Sequence, residues 1–523
     1  MKKPVYSLVL SAVLLSCTAA GQGVTAPAVA EAPAEQGAFT ILCSAATLKT
    51  PAWRNVVLAL QAKHRQSGRR VTLSAVQDWS EDTLARCLKE GKARYAGVVA
   101  RPEEVDRELF MNLHRASRRM DDDPWGDCLW GVITGASAED ALRVATASKP
   151  LIMKRLLSTT NVDASRFEHS FCITDWTGAP ILEQSGYTEP KQTLYDPKTP
   201  EGQKKLMVGL QALFAHQLET ERPQMLVSAS HATQFNLEMP FGLGLIIPSG
   251  GEFYQAPPAL LKQYKAALNA AYAGKPEQHR RWVQEQQLTP IGADGETRIW
   301  LAAGNCLFGD AYNSAESMVV TALSNYTCNQ VVGYTVPSWY GEGGWGTLGT
   351  LLNNAEGTSL AEAWFLNNQF ILHRSVGIDP ALLNIRFNEA HMSTLSQRQM
   401  LHDMKEAGID LRKLVPVLRD CFGLIHDRDV VAFYGDPCWR AVVNESNTKP
   451  DFSITWSGNS SVTIRSEKGG KGRIGILFPD SVPADKVISC DAPDAIFTND
   501  YLLFEELVLA PGASRTVNLQ FSK

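Results

Sequence analysis

The chain reads as an α/β protein built on a mostly parallel sheet flanked by helices, followed by a small β-sandwich. Three observations predict this. From residue 38 onward, short apolar runs alternate with stretches of helical period, the signature of a sheet with crossover helices. After residue 445 the pattern changes to short alternating runs split by Gly, Asn, Asp, Ser and Pro, with no helical period. The length of 523 residues exceeds what one hydrophobic core usually organises, so two or three domains are expected.

Residues 1–17 carry the pattern of a secretory signal: Met1-Lys2-Lys3, an apolar run over 5–15, and the small Ser16 before Cys17. Leu14-Leu15-Ser16-Cys17 resembles the bacterial lipobox. That resemblance implies acylation of Cys17 and an exported, lipid-anchored protein of the bacterial cell envelope, on the outer membrane or a periplasmic face. The apolar run is shorter than the roughly 20 residues that span a bilayer, and no later segment reaches that length. The lipid anchor is therefore the expected membrane contact. Residues 18–37, rich in Ala, Pro, Gly and Glu, read as a flexible tether.

Within the main domain, 38–445, strands are expected over 39–45, 70–76 and 95–100, with helices over 53–64, 81–90 and 105–120 between and after them. A strand-to-helix unit follows over 128–147, in which Ser137 and Asp140 are spaced nearly as a capping box. A division into two subdomains would fall near 150–220. Segments 224–230 and 297–303 read as core strands. Asn313 and Glu316 have the spacing of a cap leading into a helix over 317–323, and 330–336 returns as a strand. Helices over 360–376 and 411–418 precede a last strand over 429–434, closed by Gly435-Asp436-Pro437. Residues 446–523 supply the runs FSITW, SVTIR, GRIGILF, KVISC and RTVNLQF of the sandwich.

A formal charge of -5, a pI near 6.1 and the lack of a long Lys/Arg block argue against nucleic acid as a partner. No Gly-x-Gly-x-x-Gly follows the first strand and no Gly-Lys-Ser/Thr occurs, so no nucleotide is expected. His-Glu-x-x-His, Cys-x-x-Cys and Gly-x-Ser-x-Gly are also missing, which removes the local signatures of zinc and serine hydrolases. No cofactor or metal is expected. Asp121-Asp122-Asp123 lacks the alternate spacing of a calcium loop and reads as a solvated turn. Of the ten cysteines, the lipobox uses Cys17 and leaves nine, an odd number, so at least one stays unpaired; which of the others pair cannot be read from spacing.

His231 and Cys306 each stand just past the end of a predicted core strand, where open α/β sheets place reacting groups. A thiol attacks an acyl carbon as its thiolate, and an imidazole beside it can take that proton or protonate the leaving amine. His216, in a helical pattern, and His169, ahead of the strand at 170–173, are expected to serve packing or surface roles instead.

A strand ending in Ser228-Ala229-Ser230-His231, then one ending in Ala303-Gly304-Asn305-Cys306-Leu307-Phe308-Gly309, resembles the gingipains, caspases and their clan of cysteine peptidases. Gln330–Val336 and Phe433-Tyr434-Gly435-Asp436-Pro437 fit the same pattern. The resemblance implies a caspase/gingipain-like sheet, an Ig-like C-terminal sandwich, a polypeptide substrate, a Cys306–His231 dyad, and oxyanion binding by the backbone N–H groups of Cys306 and Ala232. Where the family commonly has His-Gly and Ala-Cys, this chain has His231-Ala232 and Asn305-Cys306. The segment 336–346, with Trp339, Tyr340, Glu342 and Trp345, reads as a glycine-rich loop that lines a substrate pocket, with Glu342 attracting a basic side chain. Two other activities fit these residues: a catalytically inactive envelope protein that binds a partner through this loop or the sandwich, and an acyl or peptidyl transferase that uses the same Cys306.

Overall fold

The computed structural model describes residues 36–174, 181–185, 191–192, 200, 209–293, 295–387, 394–443, 451–482 and 486–522. The signal sequence, the lipobox with Cys17, nearly all of the tether, and part of the 150–220 region lie outside them. The last two residues assigned to the tether belong to the first strand, which begins at Gln36.

A twelve-stranded sheet organises the main part of the molecule. Its strands are β1 Gln36–Ser44, β2 Arg69–Val76, β3 Tyr95–Val99, β4 Leu129–Ile133, β5 Arg155–Ser158, β6 His169–Ile173, β7 Ile181–Ser185, β8 Lys191–Gln192, β9 Met225–Val227, β10 Arg298–Ala302, β11 Cys328–Tyr334 and β12 Val431–Tyr434. Their spatial order is β2-β1-β3-β4-β12-β11-β10-β9-β5-β6-β7-β8. Strands β1 to β4 and β12 run one way. Strands β5, β6, β9, β10 and β11 run parallel to one another in the opposite sense. The two sets meet where β12 pairs antiparallel with β11, from Val331 against Tyr434 to Tyr334 against Val431.

Strands of a parallel sheet are covered on both faces and therefore read as unbroken apolar runs. Every residue of β10 and β11 is buried, including Trp300 and Tyr334. Because β9, β10 and β11 share one direction, the chain leaves all three at the same edge of the sheet, where His231 and Cys306 line a cavity.

The segment 336–346, expected as a loop, is partly helical: a helix occupies Glu342–Asn353. Its glycines serve close approach. A Cβ on Gly344 would collide with the Ala303 carbonyl, one on Gly343 would meet Val431 at 2.5 Å, and one on Gly346 would collide with Asn367. Small residues here let the helix lie directly against the ends of β10 and β12, so a run that suggests turns is a packing face. Asn313 does not cap the next helix. Ser317 does, accepting from the Val320 N–H, and the helix spans Met318–Ser324. The capping box at Ser137 and Asp140 is formed.

Between β9 and β10 the chain builds a five-stranded antiparallel sheet from Ala232–Thr233, Asn236–Glu238, Leu245–Ser249, Glu252–Ala256 and Thr289–Pro290. The C-terminal residues form two further antiparallel sheets, one of four strands with Ser461–Arg465 and Ser514–Phe521 at its centre, one of three around Tyr501–Leu509. They enclose their own core of Phe452, Val462, Ile464, Ile474, Phe504 and Val517. Arg69–Asp480 at 2.8 Å, Arg94–Asp500 and Arg473–Glu342 at 3.0 Å tie these strands to the α/β part. All nine described cysteines are free thiols.

Near this junction Asp121, Asp123 and Asp127 converge. Burial, then the neighbouring Asp500, Asp121 and Asp123, pushes the Asp127 carboxyl up to about 9, and burial raises Asp123 to about 6. A carboxyl whose folded value lies above its unfolded one favours the protonated fold, so its contribution is complete below about pH 4 and is lost as pH rises toward 9. Asp127→Asn is expected to stabilise the protein by at least ~1 kcal/mol at pH 7. Urea unfolding at pH 4 and pH 7 should show that gain shrinking at the lower pH.

Candidate active site

Trp300, in the buried centre of β10, anchors a chain of polar contacts that reaches the surface. Its indole N–H donates to Ser228 Oγ at 2.9 Å, and the Ser228 hydroxyl donates to Asn305 Oδ1. The Asn305 amide then donates to the Ser230 carbonyl at 2.8 Å and to Ser230 Oγ at 3.3 Å. Trp300, Ser228 and Asn305 are fully buried, so the contacts among these three form where water cannot replace them. The Asn305 side chain therefore clamps the end of β9, which leads into His231, to the end of β10, which leads into Cys306. Sequence reasoning met Asn305 only as a departure from a motif.

His231 opens a tight hairpin. The Glu238 N–H donates to the His231 carbonyl at 2.8 Å, and Thr233 pairs with Asn236. In an antiparallel ladder hydrogen-bonded and non-bonded pairs alternate, so Ala232, opposite Leu237, is the non-bonded pair and its N–H points out of the hairpin. The residues with positive φ do not include Ala232, so alanine sits here without the strain that would call for glycine.

Strain falls instead on Leu307, directly after the cysteine, with φ of 60°. It is held there by its N–H to the Val336 carbonyl at 3.1 Å and by the Gly309 N–H to the Tyr334 carbonyl at 2.9 Å. A left-handed leucine costs about 1–2 kcal/mol, and such strain collects at functional sites. Cys306 Sγ lies 3.6 Å from Ser338 Oγ and 3.8 Å from the Ser338 carbonyl, while the Ser338 hydroxyl donates to the Gly304 carbonyl at 2.8 Å.

His231 and Cys306 line one cavity of about 370 Å³, with Ser230, Glu238, Phe241, Ser338 and Trp345 among the other walls. His231 is exposed and Cys306 half-buried. Phe241, with φ of 62°, stands 53% exposed in the turn Pro240–Gly242 at this cavity. Glu238 is the acidic side chain among the lining residues.

Of the four pocket residues expected from sequence, Trp345 lines this cavity and Trp339, Tyr340 and Glu342 do not. Trp339 is 45% exposed beside it in the chain. The Tyr340 hydroxyl donates to Asp420 at 2.9 Å. Glu342 pairs with Arg374 at 3.1 Å and Arg473 at 3.0 Å, so the basic groups it attracts are this chain's own. His216 is exposed on its helix and His169 faces Glu221 at 3.6 Å; neither reaches the cavity.

Two groups among the described residues bring three metal-ligand atoms together, Asp121-Asp123-Asp127 and His64-Asp436-Cys438, and both lie outside the cavity. In the second, the Lys63 ammonium and His64 Nε2 already sit on the same Asp436 oxygen at 2.6 and 3.0 Å, where a metal would bind.

No protein-family model and no curated protein matches the chain. A solved structure described as "Structure of Protease" aligns with 11% identity over 93% of this chain and 91% of that chain, at a TM-score of 0.36. A likeness of that size does not decide an activity, which rests on the site.

Proposed function

We propose that the chain is an exported, lipid-anchored bacterial cysteine peptidase with a gingipain- and caspase-like α/β domain and an Ig-like C-terminal sandwich. The observation that carries this is the shared cavity: a histidine and a cysteine brought together from the ends of two adjacent parallel strands. In the proposed reaction His231 takes the Cys306 proton, the thiolate attacks the peptide carbonyl, and the backbone N–H groups of Cys306 and Ala232 receive the oxyanion. Collapse breaks the C–N bond, His231 protonates the departing amine, and a thioester remains. Water, deprotonated by His231, then releases the carboxylic acid and restores the thiol.

Asn305 holds the two strand ends in register for this chemistry. Asn305→Asp keeps the acceptor toward Ser228 but turns a carboxylate oxygen on the Ser230 carbonyl, displacing His231. The expected loss is ~10²-fold in kcat with KM little changed, measured by steady-state peptide hydrolysis.

Glu238 makes peptides with a basic side chain at the scissile position the favoured substrates, their methylene stems covered by Phe241 and Trp345. A fluorogenic library should show highest kcat/KM with Lys or Arg there. In Glu238→Gln that preference should fall about tenfold, with neutral peptides unaffected. A library with no hydrolysed member would contradict the peptidase assignment.

A further inference from the structure

We propose that a second cavity, about 280 Å³ and walled by Phe235, Tyr272, Tyr312 and Glu316, is a binding site for a compact organic cation. Phe235 sits at the tip of the hairpin that follows His231. Tyr312 and Glu316 belong to the loop that follows Cys306, and Tyr272 ends the helix Leu261–Tyr272. The site stands apart from the proposed hydrolysis and does not depend on it.

The three rings meet nearly at right angles. Phe235 and Tyr272 have centroids 5.5 Å apart at 73°, Phe235 and Tyr312 5.9 Å apart at 86°, and Tyr272 and Tyr312 5.6 Å apart at 79°. Three mutually perpendicular rings thus line one cavity, and aromatic faces carry the negative quadrupole that attracts alkylammonium and guanidinium groups. The lining residues include no Lys or Arg, and Glu316, its side chain 14% exposed, supplies the one full charge. Arg280, itself 45% exposed, takes one oxygen of that carboxylate.

His279 also lines the cavity and faces the Tyr264 hydroxyl at 3.2 Å. Burial lowers its pKa to about 4, so it brings no positive charge against a bound cation near neutral pH. Tyr312 and Asn313 are consecutive left-handed residues, with φ of 54° and 51°. The Tyr312 N–H on Asp310 Oδ1 at 3.0 Å and the Asn313 N–H on the Val105 carbonyl at 3.0 Å hold them in that form. Two strained side-chain-bearing residues in succession are retained where the placement of a side chain matters, here the Tyr312 ring.

The ligand is an alkylammonium or guanidinium group, free or carried on a polypeptide side chain. Calorimetric titration of the full chain with tetramethylammonium, Nα-acetyl-lysine amide and the neutral Nα-acetyl-norleucine amide tests this. Saturable binding of the charged probes with the norleucine amide at least tenfold weaker is expected. Binding of both cations points to a basic side chain as the source, and binding of tetramethylammonium alone to a free amine. Tyr312→Ala and the isosteric Glu316→Gln should each weaken binding at least tenfold, while Tyr312→Phe, which keeps the ring, should retain it. Repeating the titrations in Glu238→Gln, which lacks the basic-side-chain preference proposed for the other cavity, isolates this site, and saturable binding of the charged probes should persist there. Absence of saturable binding, equal binding of the norleucine amide, or binding indifferent to both Tyr312→Ala and Glu316→Gln would overturn the proposal.

Discussion

Cys306→Ala is expected to abolish peptide hydrolysis, and His231→Ala to lower kcat/KM by about 10²–10⁴-fold, the range for losing a general acid–base. The two differ because, in the proposed reaction, the cysteine forms the covalent bond, whereas hydroxide can partly replace the imidazole. Raising the pH should therefore recover some activity in His231→Ala and none in Cys306→Ala. Stability should hardly move in either variant. His231 is exposed and Cys306 half-buried with only long contacts to Ser338, and surface substitutions of this kind usually fall within about 0.5 kcal/mol. Unchanged urea midpoints beside lost turnover would assign the effect to chemistry.

The largest expected effect on folding comes from Asp429→Asn. Asp429 is fully buried just ahead of β12, the strand that joins the two halves of the sheet. Arg118 reaches it at 2.7 Å, Arg115 at 3.4 Å and Arg428 at 3.5 Å. Burial alone would raise its pKa, but Arg118, Arg428 and Arg115 together outweigh that and hold the carboxyl well below the usual range. Removing one partner of a buried ionic group leaves charge uncompensated, and three guanidinium groups would lose the anion they share. The expected loss is about 3–5 kcal/mol at pH 7.

Because the folded pKa is depressed, this contribution is present above the unfolded value near 4 and is lost as pH falls through the folded one. Asp436, held low against its burial by His64 and Lys63, acts in the same direction. The wild type should thus lose stability on acidification below pH 4. The slope should be shallower in Asp429→Asn, and urea unfolding across pH 2.5–7 reads both quantities.

Much of the sheet was legible in the sequence because its strands are buried on both faces. The runs at 39–45, 224–230 and 297–303 fall on β1, β9 and β10, and the positions of His231 and Cys306 at strand ends follow from them. The reversed direction of β12 against β11 left no trace, since an apolar run has no polarity along the chain. The small sheet between β9 and β10 was missed although it carries a signal: Gly250-Gly251, both at positive φ, form the two-residue turn between Ser249 and Glu252. Its other strands, two or three residues long, are too short to show a period.

Within the cavity, Glu238 and Phe241 went unrecognised because the hairpin that returns them to His231 was unassigned. The Asn305 clamp depends on contacts with Ser228 and Ser230 across 77 and 75 residues, which no local pattern encodes. Glu342 was misjudged for the same reason, its partners Arg374 and Arg473 being remote in sequence.

Labelling with a peptide-like thiol-reactive probe at pH 7 tests the central claim most directly, comparing wild type, Cys306→Ala and His231→Ala. Background from five of the other described thiols should be low. Cys43 and Cys172 are raised to about 12 and Cys421 to about 11, each chiefly by burial, and Cys128 and Cys438 lie well above the usual thiol value. Labelling that maps to Cys306, vanishes in Cys306→Ala and drops sharply in His231→Ala is the predicted result. Equal labelling of all three proteins would contradict a Cys306–His231 dyad.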